Sequence, residues 1–191
     1  MPKSVLFDRE ETIRKVTDLF WEKGYNGTSM QDLVDVTGLN RSSIYNTYGD
    51  KFQLFKEALC HYQRLQNDML QNTQDKSKSP KDAIKLLFDG VWSEMSNGPT
   101  KGCFLSNCAT ELSNTEPQIH EFLADNQNKV VMSFEKLIRK AQEAEEIDPS
   151  KDASILAQYL FSSLQGLRVT AMVDSNKEHI KGIVNQILST L

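Results

Sequence analysis

Side chains that can hydrogen-bond to the edges of DNA bases are concentrated in residues 40–46. Arg41 is followed by Ser42 and Ser43, and Asn46 lies about one helical turn further along. An Arg side chain can donate two hydrogen bonds to guanine, and a Ser hydroxyl is short enough to bond to a base at close approach. The segment therefore has the chemistry of a short helix that enters the major groove of DNA.

A second set of polar side chains surrounds this segment and suits phosphate oxygens. Hydroxyl and ammonium groups bind the DNA backbone and fix the register of a protein without reading the sequence. The set consists of Thr28, Ser29, Tyr45, Tyr48 and Lys51.

Two short helices are predicted to position these groups, over residues 30–36 and 40–46. Each follows a residue that favours a helix start, Ser29 or Asn40, and a three-residue turn containing Gly38 joins them. This is the spacing of a helix-turn-helix. The apolar residues of the pair can close a small core and leave Arg41, Ser42, Ser43 and Asn46 facing outward: these are Leu33, Val36, Leu39 and Ile44. A surface helix pair without DNA binding has the same spacing, so spacing alone leaves both interpretations open.

The rest of the chain also shows helical periodicity, and the sequence predicts an all-α fold of about nine helices. Asp8 is expected to cap a first helix that ends at Gly24, and Asp50 a long fourth helix. The polar run 71–79 is predicted to be a linker. Five further helices follow, at about 84–95, 102–114, 117–145, 150–173 and 177–191.

The composition is that of a globular protein, with 39% hydrophobic and 25% charged residues among 191. The net charge is −4, and residues 1–49 hold six Lys or Arg against seven Asp or Glu. DNA binding must therefore depend on well-placed groups rather than on bulk positive charge. The longest stretch without a charged residue, 153–167, contains three Ser and two Gln, so no membrane span is expected.

The three cysteines, Cys60, Cys103 and Cys108, indicate a reducing compartment, and with no apolar signal segment they predict a cytoplasmic protein. Cys103 and Cys108 are five residues apart, which places them about 140° apart around a helix axis, so a shared metal or disulfide is not expected. No metal site, cofactor or catalytic motif is predicted, and the chain is not expected to be an enzyme. Cys103 follows Lys101 at a predicted helix start, a setting typical of reactive thiols, so a redox role stays open beside a core role.

Residues 24–33 (Gly-Tyr-Asn-Gly-Thr-Ser-Met-Gln-Asp-Leu) and 43–51 (Ser-Ile-Tyr-Asn-Thr-Tyr-Gly-Asp-Lys) resemble the TetR family of bacterial transcriptional regulators. The resemblance covers about residues 8–60 and implies a helix-turn-helix domain, 1–48, followed by a regulatory domain, 49–191. It places Thr28, Tyr45, Tyr48 and Lys51 at phosphate-contacting positions and Arg41, Ser42 and Ser43 on the recognition helix. The chain departs from the family where Asn46 and Thr47 follow Tyr45, in place of the usual His or Tyr.

Residues 101–112 and 157–169 also resemble helices of the TetR regulatory domain. The resemblance implies a homodimer formed by the last two helices, a palindromic operator in double-stranded DNA, and a repressor that a small-molecule effector releases. Such domains hold the effector in an apolar cavity. The candidate effector-binding residues are Trp92, Phe104, Cys108, His120, Tyr159 and Gln165, with Asn107 and Arg168 as further polar groups.

Overall fold

The computed structural model describes residues 8–95 and 100–191, and within these ranges the chain forms nine α-helices and no strand. The helices are α1 (Arg9–Lys23), α2 (Met30–Thr37), α3 (Arg41–Tyr48), α4 (Lys51–Lys76), α5 (Pro80–Glu94), α6 (Phe104–Leu112), α7 (Pro117–Glu143), α8 (Ala153–Val173) and α9 (Lys177–Leu188). The predicted all-α fold is confirmed. None of the described helices combines the length and apolar character needed to cross a lipid bilayer.

Most of these helices begin where a short polar side chain can accept a hydrogen bond from the first turn. The Asp8 carboxylate accepts from the backbone N–H groups of Glu10 and Glu11 at 2.9 and 3.1 Å. Asp152 and Asn176 cap α8 and α9 in the same way. Each cap satisfies N–H groups that have no partner within the helix, so helix starts can be located from the sequence.

The predicted linker at 71–79 is wrong over most of its length, because α4 continues to Lys76. The run contains neither Gly nor Pro before Pro80, and Gln and Lys are good helix formers although they are polar. The break occupies only residues 77–79: Ser77 ends α4, and Ser79 caps α5 with Pro80 in its first turn. The observed bounds of helices α6 to α9 lie within the bounds expected from the sequence, and each end differs by at most three residues.

Two separate apolar cores hold the helices together. The C-terminal core is formed by buried side chains of α5, α7, α8 and α9. The N-terminal core contains buried side chains of α1 to α4, and also Cys103, the buried face of α6 and Ile119 of α7. The helix-turn-helix therefore shares its core with α6, which comes much later in the chain.

Aromatic rings make this connection between the start of the chain and α6. The Phe55 ring of α4 packs against Phe20 of α1, with ring centres 4.9 Å apart, and against Phe104 of α6, at 5.9 Å. All three side chains are fully buried. Edge-to-face pairs at these separations stabilise a core beyond the area they bury, so α1, α4 and α6 form a firmly packed unit.

Candidate nucleic-acid interface

Local hydrogen bonds define the two helices of the predicted helix-turn-helix. Ser29 and Asp32 form a capping box at the start of α2, in which each side chain binds the other residue's backbone N–H. Gly38 ends α2 in the left-handed region, with φ 70°, a conformation that a side chain would disfavour. The Asn40 side chain then accepts from the Ser43 N–H at 2.9 Å and begins α3.

Buried apolar residues fix the angle between α2 and α3. Leu33 of α2 and Ile44 of α3 are fully buried, and Leu39 of the turn is buried between them. All three belong to the N-terminal core, together with Val16 and Phe20 of α1. The buried side of α3 is thereby held in the N-terminal core against α2 and α4, and its opposite side is left on the surface.

The exposed side of α3 carries four polar side chains, Arg41, Ser42, Tyr45 and Asn46. Their spacing of i, i+1, i+4 and i+5 places them on one face of an α-helix. The Tyr45 side chain is 50% exposed although it is aromatic. Ser43, which was expected on this face, is half-buried because it lies one position before the buried Ile44.

Thr28 and Ser29, two of the predicted phosphate ligands, have hydroxyls that bind within the protein. Thr28 is 1% exposed, and its hydroxyl donates to the Gly24 carbonyl at 2.7 Å. The Ser29 hydroxyl donates to the Asp32 carboxylate at 2.6 Å and accepts from the Asp32 N–H. Both hydroxyls therefore shape the turn between α1 and α2, and a phosphate contact by either remains a prediction.

Tyr48 and Lys51 also pack against the protein. Tyr48 is buried, and the Arg9 guanidinium lies 5.1 Å from the centre of its ring. The Lys51 ammonium lies 4.3 Å from the centre of the Tyr25 ring and is half-buried. Burial lowers the pKa of Lys51 from its ordinary value. Lys51 thus stays partly exposed at the start of α4, while Tyr48 belongs to the N-terminal core.

Gln31 of α2 lies beside α3, although it is not among the DNA-binding residues predicted from the sequence. Its exposed side chain accepts a long hydrogen bond of 3.4 Å from the Arg41 guanidinium, and its NH₂ donates to Asp35 at 2.8 Å. These contacts connect the exposed face of α2 to the first residue of α3. Gln31 stands within the motif that carries the family resemblance, but its polar character alone did not distinguish it from a solvated surface residue.

An ion pair at the start of α2 supports this arrangement. The Lys23 ammonium at the end of α1 lies 2.6 Å from the Asp32 carboxylate. This hydrogen bond, together with those from Ser29, holds the pKa of Asp32 well below its usual range. The Asp32 carboxylate therefore has its hydrogen-bond partners within the protein, and its ion pair with Lys23 joins α1 to α2.

Glu111 of α6 binds the turn that precedes the helix-turn-helix. Its carboxylate accepts from the backbone N–H groups of Tyr25 and Asn26 at 3.0 and 2.7 Å. Gly24 allows this approach: its φ is 72°, and a Cβ there would lie 2.7 Å from a Glu111 oxygen. α6 therefore contacts the turn before the helix-turn-helix through a polar clamp, formed by these two hydrogen bonds, as well as through the N-terminal core.

A cavity lies between the two cores, where α4, α7 and α8 meet. The volume open to the centre of a water molecule is about 60 Å³, which is room for only a few water molecules. Its walls are mostly apolar, with Leu105, Phe134 and Leu164 among them. Gln165 and Arg168 of α8 contribute polar groups, and Cys103 lies at the edge of α6.

Of the six predicted effector-binding residues, only Gln165 lines this cavity. Phe104 and Cys108 are buried in the N-terminal core instead, because the rotation of α6 turns Cys103 and Leu105 toward the cavity. Burial there raises the pKa of Cys108 to about 12. His120 and Tyr159 are exposed on α7 and α8.

The remaining candidates also lie elsewhere. Trp92 of α5 packs under the ammonium of Lys181 of α9, 4.8 Å from the ring centre. The Asn107 amide donates to the Lys101 carbonyl at 3.0 Å and does not line the cavity.

Family models match both halves of the chain. Residues 15–58 match the model described as "Bacterial regulatory proteins, tetR family", and residues 80–187 match "Tetracyclin repressor-like, C-terminal domain". The chain is 29% identical over 193 aligned positions to the uncharacterized HTH-type transcriptional regulator YezE of Bacillus subtilis, and the alignment covers 100% of both chains. It is 28% identical to the HTH-type transcriptional repressor ComR of Escherichia coli, with 96% of this chain and 88% of ComR covered.

The fold is also found in a regulator solved on its DNA. A cysteine variant of the TetR family regulator CifR, in complex with a 26-base-pair operator, superimposes with a TM-score of 0.84 at 25% identity, covering 96% of this chain and 97% of that one. The expectation that the chain is not an enzyme agrees with these relatives, which are transcriptional regulators. The outward side of α3, the shared core behind it and both family matches lead to one conclusion: the chain belongs to the TetR family of DNA-binding transcriptional regulators.

Proposed function

We propose that the protein is a repressor that binds a palindromic operator as a homodimer and is released by a small-molecule effector. Residues 1–48 form the DNA-reading part, and residues 49–191 bind the effector and dimerise. The proposal rests above all on the exposed face of α3, where Arg41 and Ser42 can reach base edges while Tyr45 and Asn46 can reach the backbone. A regulator of chromosomal genes works in the cytoplasm, which we propose as its location.

The surface of the last two helices supports a dimer. α8 and α9 expose apolar side chains that are only partly covered within one chain, and Val173 is the most exposed of them at 85%. The others on these helices are Ile155, Tyr159, Val169, Met172 and Ile183. Apolar groups collected on two neighbouring helices favour a self-complementary contact between two copies of the chain. Two copies can then place two α3 helices in successive major grooves.

The size of the cavity supports release by an effector. A molecule larger than a few waters has to displace side chains of α4, α7 and α8, since these helices supply most of the walls. α4 also packs against α1 through the N-terminal core, so a shift of α4 changes the position of the DNA-reading part. Effector binding then favours a conformation in which the two recognition helices no longer fit successive grooves.

The test is selection of bound fragments from random duplex DNA by the purified protein at two salt concentrations. We expect a palindrome with half-sites one helical turn or a multiple of it apart, and weaker binding at the higher salt. Two matched variants test the dimer. Val173→Glu should produce monomers in sedimentation and lose the palindrome, whereas Met132→Glu, at an exposed position of α7, should retain both properties. Enrichment of single half-sites by a wild-type monomer would contradict the proposal.

A second candidate is regulation by an electrophile or oxidant through Cys103. The Cys103 side chain lines the cavity that would hold an effector, which favours this candidate over one through the exposed Cys60. If it is correct, Cys103→Ser abolishes release from DNA by an alkylating electrophile and leaves operator affinity unchanged. Release that persists in Cys103→Ser excludes it. A helical interaction module without DNA binding is not compatible with the family membership of the chain.

A further inference from the structure

Arg168 is the one charged side chain among the residues that line the cavity. It extends from α8, and the residue as a whole is only 8% exposed. A guanidinium cannot lose its charge at any ordinary pH, in contrast to a buried Lys or Glu. The cavity therefore contains a permanent positive charge in mostly apolar surroundings.

No carboxylate in the described part of the chain forms an ion pair with Arg168. The recorded hydrogen bond from its guanidinium is a long one, 3.4 Å, to the Gln66 amide oxygen. Glu94 of α5 lies close enough for the Arg168 charge to lower its pKa, although desolvation raises that pKa more. The Glu94 side chain is exposed and does not line the cavity, so it does not supply an anion there. A buried cation without an anionic partner costs free energy, and a ligand that supplies the anion recovers it.

The amide groups around the cavity also favour an anion. The oxygens of three amides already accept hydrogen bonds: Gln66 from Arg168, Gln165 from the Ser106 hydroxyl at 2.7 Å, and Asn126 from Gln63 at 2.8 Å. Each oxygen thus has one of its two lone pairs occupied, whereas no hydrogen bond to a described residue is recorded from the NH₂ group of any of the three, and an NH₂ group only donates. The polar part of the lining is thus rich in donors.

The rest of the lining is mostly apolar and can pack against the hydrocarbon part of a ligand. Its apolar part includes Leu87, Leu105, Val130, Phe134 and Leu137. A single guanidinium matches one carboxylate, because its planar N–H groups can meet both oxygens and one charge neutralises the other. A phosphate dianion would bring a second charge into a cavity that has no second cation.

We propose that the effector is a small organic carboxylate, held by Arg168 through its charged end and by the leucine and phenylalanine side chains through its apolar body. The inference rests on the proposed effector function and specifies the chemistry of the molecule. It predicts that the same molecule without its charge binds poorly, since the carboxylate provides the anion that the buried guanidinium lacks.

The test uses a panel of aliphatic and aromatic carboxylates of six to ten carbons, each paired with its primary amide of nearly the same shape. Binding to the full-length protein without DNA is measured by calorimetry. We expect at least one acid to bind tenfold or more tightly than its amide. Equal affinity of every acid and its amide, or no binding by any acid of the panel, would overturn the proposal without the use of any variant.

Two variants then assign the preference to Arg168. Arg168→Met keeps the apolar stem and removes the charge, so the acid should lose its advantage over the amide. Arg168→Lys keeps the charge and should retain part of it. Operator binding by both variants, measured without effector, serves as the control. If the wild type binds its operator but does not prefer any acid to its amide, the proposed ligand class is refuted and the proposed function is not. If the wild type does not select a palindrome from random DNA, the proposed function itself is refuted.

Discussion

Removal of the Glu111 carboxylate is expected to weaken the contact between α6 and the turn before the helix-turn-helix. Glu111 accepts from the N–H groups of Tyr25 and Asn26 at 3.0 and 2.7 Å. A hydrogen bond to a charged group contributes about 1.5–3 kcal/mol when its loss leaves a donor without water. The Tyr25 bond is partly buried, but the Asn26 bond is exposed and its N–H can bind water instead. Glu111→Ala should therefore lower the free energy of unfolding by about 2 kcal/mol, most of it from Tyr25.

The measurement is urea denaturation together with amide hydrogen exchange. Glu111→Ala should unfold at lower urea concentration, and the amides of Tyr25 and Asn26 should exchange faster than in the wild type. Glu111→Gln keeps one accepting oxygen but turns an NH₂ group toward a backbone donor, so it should recover less than half of the lost stability. Glu121→Ala, at an exposed position of α7, is the matched control. A Glu111→Ala protein as stable as this control, with unchanged exchange at both amides, would show that the clamp does not stabilise the turn.

Three further predictions concern the DNA-reading part. Arg41→Ala should relax sequence preference and cost about 1–3 kcal/mol of operator binding if Arg41 is bidentate to guanine; an unchanged selection pattern would rule out that base contact. Lys51→Ala should weaken binding to all DNA sequences about equally and reduce the slope of log affinity against log salt concentration by about one. It should also lower the free energy of unfolding by about 0.5–1 kcal/mol, because the contact with the Tyr25 ring is lost. The lowered pKa of Asp32 contributes stability that is present above the unfolded carboxyl value of about 3.9 and lost as pH falls toward the folded value. Urea midpoints measured from neutral to acid pH should therefore converge for the wild type and Asp32→Asn, and a constant difference would contradict this.

The helices could be predicted from the sequence because the signals that define them are local. Asp8, Ser29 and Asn40 cap helices where the sequence indicates caps, and Gly38 ends α2 as the turn requires. The run 71–79 is polar throughout, but polarity alone does not distinguish a linker from a solvent-exposed stretch of helix. Gln71, Gln74 and Lys76 are good helix formers and the run contains no Gly or Pro, so the helix continues until Ser77.

The candidate sites were harder to predict because they depend on how helices are rotated against one another. The type of residue identified Phe104 and Cys108 as apolar wall residues, but tertiary packing turns that face of α6 toward Phe55 and away from the cavity. Thr28 has a hydroxyl suited to a phosphate, yet a nearby carbonyl of Gly24 takes its hydrogen bond. Gln31 could not be identified from the sequence because its role depends on a contact with Arg41, ten residues away, that only the packing of α2 against α3 creates.

The core shared between the helix-turn-helix and α6 limits how this protein can be divided or recombined. A fragment that ends at residue 48 would lose Phe55, whose ring packs against Phe20, and Phe104, whose ring packs against Phe55. The DNA-reading part is therefore not an independent module, although it is contiguous in sequence. A chimera that exchanges operator specificity between relatives should transplant α6 together with α1 to α4, so that the donor helices arrive with the surface that completes their core. Evolution faces the same constraint, because substitutions on the buried face of α6 must stay compatible with a helix-turn-helix about 60 residues earlier in the chain.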